Sequence, residues 1–544
     1  MTTVLIVPAA ARASGTAGVA ASPLPGVSAA AMARASRGVV HQGHATGHRV
    51  RATYLAHPPK ITAAQAAALK ADEASASHQV VLGRPGNTRT APPPNPPLSP
   101  RPAATRDGVT SAATLAGEAS ILRDSTLPAI SGENTSTVEP STDANGGSNI
   151  FETGNIFAAW SANSGTTWTY LNLIGQFGFG VICCDQVTQF DPTTGNEFWI
   201  AQTSTGALDF SFASANGTHP YSNWCTWNFT PASIGITGSA KFDLPIITVA
   251  SGSIWFGSDI TGSTTGADVI GIPKSYLTSC SSITYYWVIR TDNQKFMFAN
   301  GSTGTMYWAT DTGTGMSNGT TFRIYAWVLG GQYYYWWNYT GTASTWAFSY
   351  ETTNSGQNCA SIDGEVNNWC QFADSSVDGG YLANGWLGFS FNAKQDNSHA
   401  EPYTRILAFQ LSNMAYSAKA DIYNGDSPMQ YAAMAPSLNG LVGVEFTFED
   451  ANEGLLPYPS MGFDAFDPSL QSFDDTLFFP DVPGGGNACK VGGTNGIARW
   501  GDYLTVHAYY GNANDFIAAG FVITGGDCGT SGASAQVHNV LFTG

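Results

Sequence analysis

The sequence predicts an all-β protein: a β-propeller of six or seven four-stranded blades, with seven favoured. Three observations lead to this prediction. A strand–turn–strand pattern recurs about seven times before Gly544. Gly, Asn, Ser and Thr interrupt almost every window in which a helical repeat would show, whereas short runs such as 284–289 and 321–329 are β-branched and aromatic. The roughly 420 residues after position 123 exceed what one sandwich usually holds, and a propeller gives each blade its own local core.

The chain divides near Arg123 into two parts of opposite charge. Residues 1–123 contain 12 Lys and Arg and four acids, whereas residues 124–544 contain 10 Lys and Arg and 35 acids. The first part is rich in Ala, Pro, Ser and Arg and poor in aromatic and β-branched residues, so it cannot bury enough apolar surface to offset its ordering entropy. We therefore predict a disordered leader or propeptide over 1–123 and a propeller domain over 124–544.

The repeated unit consists of a polar or Pro-containing start, an apolar strand, a Gly/Asn/Ser turn and a second apolar strand. It occurs at 139–151, 185–202, 243–259, 296–328, 386–411, 434–450 and 500–523. The last unit supplies strands over 503–509, 516–523 and 536–542, one fewer than a blade needs. Residues 119–127 can supply the missing strand and so fasten the two ends of the ring.

The cysteines indicate an oxidising compartment. All eight follow residue 123, namely Cys183, Cys184, Cys225, Cys280, Cys359, Cys370, Cys489 and Cys528. An even count without CxxC or CxxH spacing favours disulfides over a zinc or redox site. We expect the pairs Cys359–Cys370 and Cys489–Cys528, since each joins neighbouring segments of one repeat, although other connectivities stay open. The protein is therefore expected to be secreted or extracellular.

Charge limits the partners. The net charge of −17 argues against nucleic acid and anionic membrane, because both require clustered Lys and Arg. No stretch approaches the roughly 18 apolar residues needed to span a bilayer. We expect a monomer.

A polar turn closed by a tryptophan stands out at 161–168. The short side chains of Ser161 and Asn163 can bond backbone donors of their own turn, and Gly165 can take a positive φ. Trp168 can then pack over the turn between two outer strands. These four residues are predicted to stabilise the blade.

This turn resembles the Asp-box, Ser-x-Asp-x-Gly-x-x-Trp, of sialidases and other Asp-box propellers, with Asn163 in place of Asp. The phrases at 184–186 and 499–503 are similar to those of secreted sialidase-like propellers. The resemblance covers about residues 125–544 and implies a folding role for the box, away from the active face. It also implies an exo-sialidase-like glycoside hydrolase, with three Arg gripping a substrate carboxylate, a Tyr nucleophile assisted by a Glu, and an Asp acid/base.

Candidate catalytic residues follow from position in the repeats and from this resemblance. They are Asp185, Asp243 and Asp502 for acid/base work, Arg499 and Arg405 for substrate contact, and Tyr503 beside Asp502. Asp185 and Asp243 begin the first strands of their units, and first strands line the central funnel of a propeller. The alternatives are structural: turn-forming aspartates, and an Arg499–Asp502 salt bridge. Only four Arg follow residue 123, so three clamp residues would use nearly all of them.

Aromatic residues give a second set of candidates. Trp336, Trp337 and Trp500 are predicted to bind substrate, because aromatic faces suit the apolar faces of sugar rings. In a strand only alternate members of the run 333–339 share a face, so a sugar platform and plain blade core both remain open.

No cofactor and no metal ligands are predicted from spacing. The acidic run 445–481, which contains no Lys or Arg, is a candidate Ca²⁺-binding segment, with a solvated loop as the alternative.

Two functions therefore stay open. One is a secreted sialidase-like glycoside hydrolase acting on a glycan or glycoprotein. The other is a non-catalytic propeller that binds carbohydrate or protein.

Overall fold

The computed structural model of the protein is a seven-bladed β-propeller, which confirms the predicted fold class and the favoured blade number. The structure describes residues 24–55, 57, 62, 119–127, 138–173, 181–217, 219–291, 295–311, 321–340, 359, 369–373, 376–393, 399, 401–424, 427–450, 456–468, 480–487, 489–491, 497–500, 504–526 and 533–544. Within these ranges, helix is confined to α1 (Ala29–Met32) and three short 3-10 turns at Pro231–Ile234, Lys274–Tyr276 and Trp369–Phe372. None of the described helices is long and apolar enough to cross a membrane.

Five strands precede the blades in the chain. They are β1 (Ser36–Val39), β2 (His41–Thr46), β3 (His48–Arg51), β4 (Tyr54–Leu55) and β5 (Ser120–Thr126).

Each blade is an antiparallel meander whose first strand faces the hub, because successive first strands contact one another around the ring. Blade 1 comprises β6 (Ser141–Ala144), β7 (Ile150–Gly154), β8 (Phe157–Ser161) and β9 (Thr169–Leu171). Blade 2 comprises β10 (Ile182–Asp191), β11 (Asn196–Thr203), β12 (Leu208–Ser214) and β13 (Asn223–Phe229). Blade 3 comprises β14 (Lys241–Val249), β15 (Ser253–Thr261), β16 (Gly266–Pro273) and β17 (Ser282–Arg290). Blade 4 comprises β18 (Met297–Phe298), β19 (Thr305–Asp311), β20 (Thr321–Val328) and β21 (Tyr333–Thr340).

The remaining blades follow the same order. Blade 5 comprises β22 (Val377–Ala383), β23 (Trp386–Ala393), β24 (Tyr403–Gln410) and β25 (Ala415–Ile422). Blade 6 comprises β26 (Met429–Pro436), β27 (Val442–Asp450), β28 (Leu456–Phe466) and β29 (Asp481–Val482). A separate hairpin follows, formed by β30 (Cys489–Val491) and β31 (Ile497–Arg499). Blade 7 comprises β32 (Thr505–Ala508), β33 (Asp515–Thr524), β34 (Ser534–Thr543) and, as its outer strand, β5.

Strand β5 closes the ring as predicted. It pairs antiparallel with β34, from Thr126 opposite His538 to Ser120 opposite Thr543. Blade 7 therefore combines strands from both sides of the propeller sequence. The closing strand begins before position 124, so the structure extends the propeller beyond the predicted boundary.

The structure also differs from the predicted disordered leader over residues 24–55. This segment, which we call the belt, runs around the rim and adds a fifth strand to four consecutive blades: β1 to blade 4, β2 to blade 3, β3 to blade 2 and β4 to blade 1. Its composition misled the prediction because an edge strand needs backbone hydrogen bonds to an existing sheet rather than an apolar core of its own.

Blades pack on one another through aromatic residues. Phe210 stacks on Phe256 at 5.1 Å between blades 2 and 3, and Trp255 meets Trp327 at 4.8 Å between blades 3 and 4. Such contacts replace one large core by a series of interfaces between neighbouring sheets.

Three disulfides are present in the described part of the chain. Cys359–Cys370 confirms one predicted pair. Cys225–Cys280 ties β13 of blade 2 to the segment before β17 of blade 3, and Cys183–Cys184 joins adjacent residues of β10. Cys528, the predicted partner of Cys489, lies outside the described residues.

Candidate functional site

The hub of the propeller contains a small, mainly apolar cavity. Its volume is about 40 Å³, and it is lined from the first strands of blades 2, 3, 4, 5, 6 and 7. Val187, Ile246, Phe298, Met434 and Val506 supply much of the apolar wall. A ligand pocket usually has a volume of about 300–1,000 Å³, so this cavity is smaller than the usual site for a sugar ring.

His507, which lines the cavity, pairs with Asp143 of blade 1. His507 of β32 is buried, and its Nδ1 lies 2.9 Å from the Thr142 carbonyl oxygen and 3.3 Å from Asp143 Oδ2. Because Nδ1 faces two oxygen acceptors, it carries a proton and donates to them. Asp143 also accepts hydrogen bonds from the backbone N–H groups of Ala144 at 2.7 Å and Phe190 at 2.8 Å. The pair therefore fastens blades 1, 2 and 7 together at the hub.

Other polar residues at the cavity also connect blades. Asn300 accepts a hydrogen bond from Thr248 Oγ1 at 3.0 Å and donates to the Met434 carbonyl oxygen at 3.0 Å. Asp378 of β22 lines the cavity as well. The sequence patterns did not assign Asp143, Asn300 or Asp378 to the hub, because only ring closure brings distant first strands together.

Several buried carboxyl groups around the hub stay protonated at higher pH than usual. Burial, and then the nearby Asp143 charge, raises the pKa of Glu197 well above its ordinary value, although Thr188 Oγ1 donates to Glu197 Oε1 at 2.6 Å. Burial likewise raises the pKa of Glu152 and of Glu445. Burial therefore disfavours the charged form of these carboxyl groups in the folded protein.

Asp185 and Asp243 lie on first strands, but neither lines the cavity. Asp185 is buried in β10, at an irregularity of register between Ile182 and Gln186. Asp243 is half-buried near the start of β14 and accepts a hydrogen bond from Gln202 Nε2 at 3.3 Å.

The candidates around position 500 are described only in part. Asp502 and Tyr503 lie outside the described residues. Arg499 is the last residue of β31, and only its backbone is described. Trp500 is 2 % exposed, stacks on Phe521 at 4.6 Å and donates from Nε1 to Thr447 Oγ1 at 3.0 Å. Its ring is thus enclosed between blades 6 and 7.

Arg405 is held in an ion pair on the third strand of blade 5. Its Nε lies 2.7 Å from Asp421 Oδ1 and its Nη2 lies 3.0 Å from Asp421 Oδ2. His399 Nε2 lies 3.3 Å from the same carboxylate and stacks on Tyr403 at 3.8 Å. This bidentate ion pair occupies the Nε and Nη2 donors of Arg405 that a substrate carboxylate would need.

Arg290 and Arg323 both approach the Tyr325 ring, at 5.2 Å and 6.0 Å from its centroid, and neither lies on a first strand. Arg290 ends β17 on blade 3, with its guanidinium 4.7 Å from the Trp336 ring centroid. Arg323 lies on β20 of blade 4, and its Nε donates to Asn338 Oδ1 at 2.6 Å. None of the seven described first strands, β6, β10, β14, β18, β22, β26 and β32, contains an arginine.

Trp336 and Trp337 occupy opposite faces of β21, as strand alternation requires. Trp336 is half-buried beneath Arg290 and stacks on Tyr334 at 5.6 Å. Trp337 is 3 % exposed, and its Nε1 donates to the Ala31 carbonyl oxygen at 2.9 Å. The belt therefore covers Trp337.

The turn at 161–168 connects β8 to β9 on the outer part of blade 1. Asn163 Oδ1 accepts from the Thr167 backbone N–H at 2.9 Å, and Ser161 Oγ accepts from the Gly165 N–H at 2.9 Å. Gly165 has a φ of +81°. Trp168 packs against the core residues of the neighbouring blade, so the turn ties the outer part of blade 1 to blade 7.

The rim holds a second group of accessible side chains that the sequence patterns missed. Arg37 of the belt lies 4.6 Å from the Tyr333 ring centroid, and His41 stacks on Trp287 at 4.3 Å. Arg49 and Arg51 on β3 are exposed. Exposed arginines and aromatic rings thus lie on the same part of the rim.

Fold and site together define a seven-bladed β-propeller whose hub holds a small, largely apolar cavity. No protein-family profile and no curated protein matches its sequence. Among solved structures, the α-L-arabinofuranosidase Arb93A from Fusarium graminearum is similar over 78 % of this chain and 98 % of that one, at 9 % identity and a TM-score of 0.35. A subtype N11 neuraminidase-like protein of a flat-faced bat virus is similar over 65 % and 95 %, at 10 % identity and a TM-score of 0.32. The lectin of Aleuria aurantia is similar over 64 % and 94 %, at 10 % identity and a TM-score of 0.33.

Among the described residues, no group of three or more His, Cys, Asp or Glu side chains is arranged to hold a metal ion. From the acidic run, Glu445 is fully buried in β27, and Asp464 in β28 accepts from the Ala465 N–H at 2.7 Å.

Proposed function

We propose that the protein is a glycan-directed propeller that binds carbohydrate without hydrolysing it. The observation that carries this proposal is the contrast between hub and rim. The hub cavity of about 40 Å³ is too small for a sugar ring, and no described first strand brings an arginine to it. The rim, in contrast, offers aromatic rings beside exposed cations.

The distribution of arginine argues against the sialidase-like alternative. An exo-sialidase of the kind that the sequence resemblance implies needs three guanidinium groups around one carboxylate. Arg290, Arg323 and Arg405 lie on three different blades, and each has a partner on an outer strand. The three disulfides are consistent with secretion, and the proposal invokes no cofactor.

A glycan array combined with a turnover assay tests this function. The intact protein should bind a subset of array glycans saturably, and mass spectrometry should find no released sugar after prolonged incubation with the same glycans. The variants Asp378→Asn and His507→Gln, which alter the hub, should bind as the wild type does. Release of sugar that stops in Asp378→Asn would overturn the proposal and assign hydrolysis to the hub. Absence of binding to any glycan would overturn it as well.

A further inference from the structure

The rim of blades 1–4 segregates charge to an unusual degree. It is built from the belt strands β1–β4 and from β9, β13, β17 and β21, the blade strands with which they pair. None of these eight strands contains an Asp or Glu, in a chain with 39 acids. The outer strands of blades 5, 6 and 7 contain Asp421, Asp481 and Asp124 respectively.

The belt supplies cations that form no ion pair with the carboxylates of the described residues. Residues 24–55 contain four arginines and no acid, and Arg34, Arg37, Arg49 and Arg51 are all exposed. Within the described residues, no carboxylate lies within ion-pair distance of Arg37, Arg49 or Arg51. Their guanidinium groups are therefore available to a ligand from outside the chain.

Aromatic rings accompany these cations. Tyr333 lies beneath Arg37 on blade 4, and Trp287 lies beneath His41 on blade 3. On blade 1, Tyr54 of the belt is 40 % exposed and meets Trp160 edge-on at 6.1 Å. A sugar ring can pack its apolar face on an exposed ring such as that of Tyr54, while a guanidinium of the belt binds its acidic group.

The dimensions of this surface fit a linear polymer. The 14 residue steps from Arg37 to Arg51 span at most about 50 Å when extended, across blades 4, 3 and 2. A monosaccharide would occupy only a fraction of this length. A nucleic acid duplex would also bring its dense phosphate charge against the acidic remainder of the molecule, whereas a single polysaccharide chain needs only the narrow stripe.

We propose that the rim of blades 1–4 binds an anionic polysaccharide, whose carboxylate or sulfate groups pair with Arg37, Arg49 and Arg51. This inference rests on the proposed function, because it specifies the class of glycan. The intact protein should bind fluorescent polygalacturonate or dextran sulfate, which separates the carboxylate and sulfate sources. Neutral dextran should neither bind nor compete. Binding should disappear at about 1 M salt, where the Debye length is about 3 Å.

Substitution of the belt arginines tests the location. The triple variant Arg37→Gln/Arg49→Gln/Arg51→Gln should weaken binding by about 3- to 160-fold while unfolding at the wild-type temperature, since exposed charge contacts are worth about 0.2–1 kcal/mol each. The single variant Arg49→Gln should weaken binding by roughly 1.5- to 5-fold. Lys241→Gln is its matched control, because it removes one exposed cation from the first strand of blade 3 and should leave binding unchanged.

Four results would overturn the inference: wild-type binding by the triple variant, equal weakening by Lys241→Gln, competition by neutral dextran, or equally tight binding of duplex DNA at the same salt. If array glycans bind the triple variant as well as the wild type, glycan binding stands and the rim assignment fails. If no glycan binds either protein, both fail.

Discussion

Buried carboxyl groups give this propeller a pH dependence that its net charge conceals. Asp268 of β16 is fully buried, and Ser258 Oγ donates to its Oδ1 at 2.7 Å. Burial raises the pKa of Asp268 to about 7, and the hydrogen bonds to Ser258 offset this only in part. In the unfolded chain an aspartate ionises near pH 3.9.

Asp268 therefore makes the folded state less stable as pH rises. The folded state keeps this proton up to about pH 7, whereas the unfolded state releases it from about pH 4, so the stabilisation is complete below pH 4 and is lost as the pH rises to about 7. The change is at most about 4 kcal/mol. Asp268→Asn should flatten the dependence of the free energy of unfolding on pH between 4 and 7, as measured by urea unfolding. Ser211→Ala, which removes a buried hydroxyl but no titrating group, should keep the wild-type slope. An unchanged slope in Asp268→Asn would contradict this account.

At the level of single residues, the sequence predicted local chemistry better than long-range partners. The side chains of the 161–168 turn bond as their types and spacing require, because every partner lies within a few residues. The pairing of Arg405 with Asp421 across two strands, and of His507 with Asp143 across the ring closure, depends on which strands become neighbours. Spacing along the chain carries no such information.

Among the elements, the belt depends on three glycines. Gly38, Gly43 and Gly47 each lie against an aromatic ring, of Tyr334, Tyr285 and Trp227 respectively. A Cβ atom at any of these positions would collide with that ring. The glycines thus let the belt approach the blades closely enough to complete the sheets.

Gly43→Val should loosen the belt from blade 3. Overpacking of this kind typically costs about 1–3 kcal/mol, so the variant should unfold at a lower temperature and expose residues 36–55 to a protease. Gly252→Val is the control, because a Cβ there meets nothing within 4 Å, and it should behave as the wild type does. Wild-type protease resistance of the belt in Gly43→Val would show that the close approach is dispensable.

The strands differ in how well their sequences predict them. The first hairpins of blades 2 and 3 follow from an alternating apolar pattern and a turn, and the structure pairs Asp191 with Asn196 and Val249 with Ile254 as expected. The belt strands are polar and rich in Gly and His, so their sequence alone does not distinguish an edge strand from disordered chain. They become strands because the blades present unpaired edges.

For the whole molecule, ring closure determines both the hub and the surface. Seven sheets bring their first strands to one axis, and side chains of these strands leave a cavity of about 40 Å³. The repeats limited the number of blades to six or seven and favoured seven, which the structure shows. The chemistry of the hub could not, because it combines residues as far apart as Val187 and His507.

The folded molecule as a whole has an acidic body and a cationic rim on blades 1–4. The counts of charged residues in the sequence placed this division near Arg123, and the basic part was predicted to be a disordered leader. In the folded protein the arginines of residues 34–51 instead lie along the rim, where this segment adds an edge strand to each of blades 4, 3 and 2. The proposed ligand surface is therefore formed by a segment whose composition predicts disorder.

Hydrogen–deuterium exchange of the intact protein with and without polygalacturonate, at low salt, tests most directly where the ligand binds. We expect new protection in residues 36–55 and in β13, β17 and β21, with unchanged exchange in the first strands at the hub. Protection confined to β10, β22, β26 and β32, with none on the belt, would contradict a rim-binding propeller.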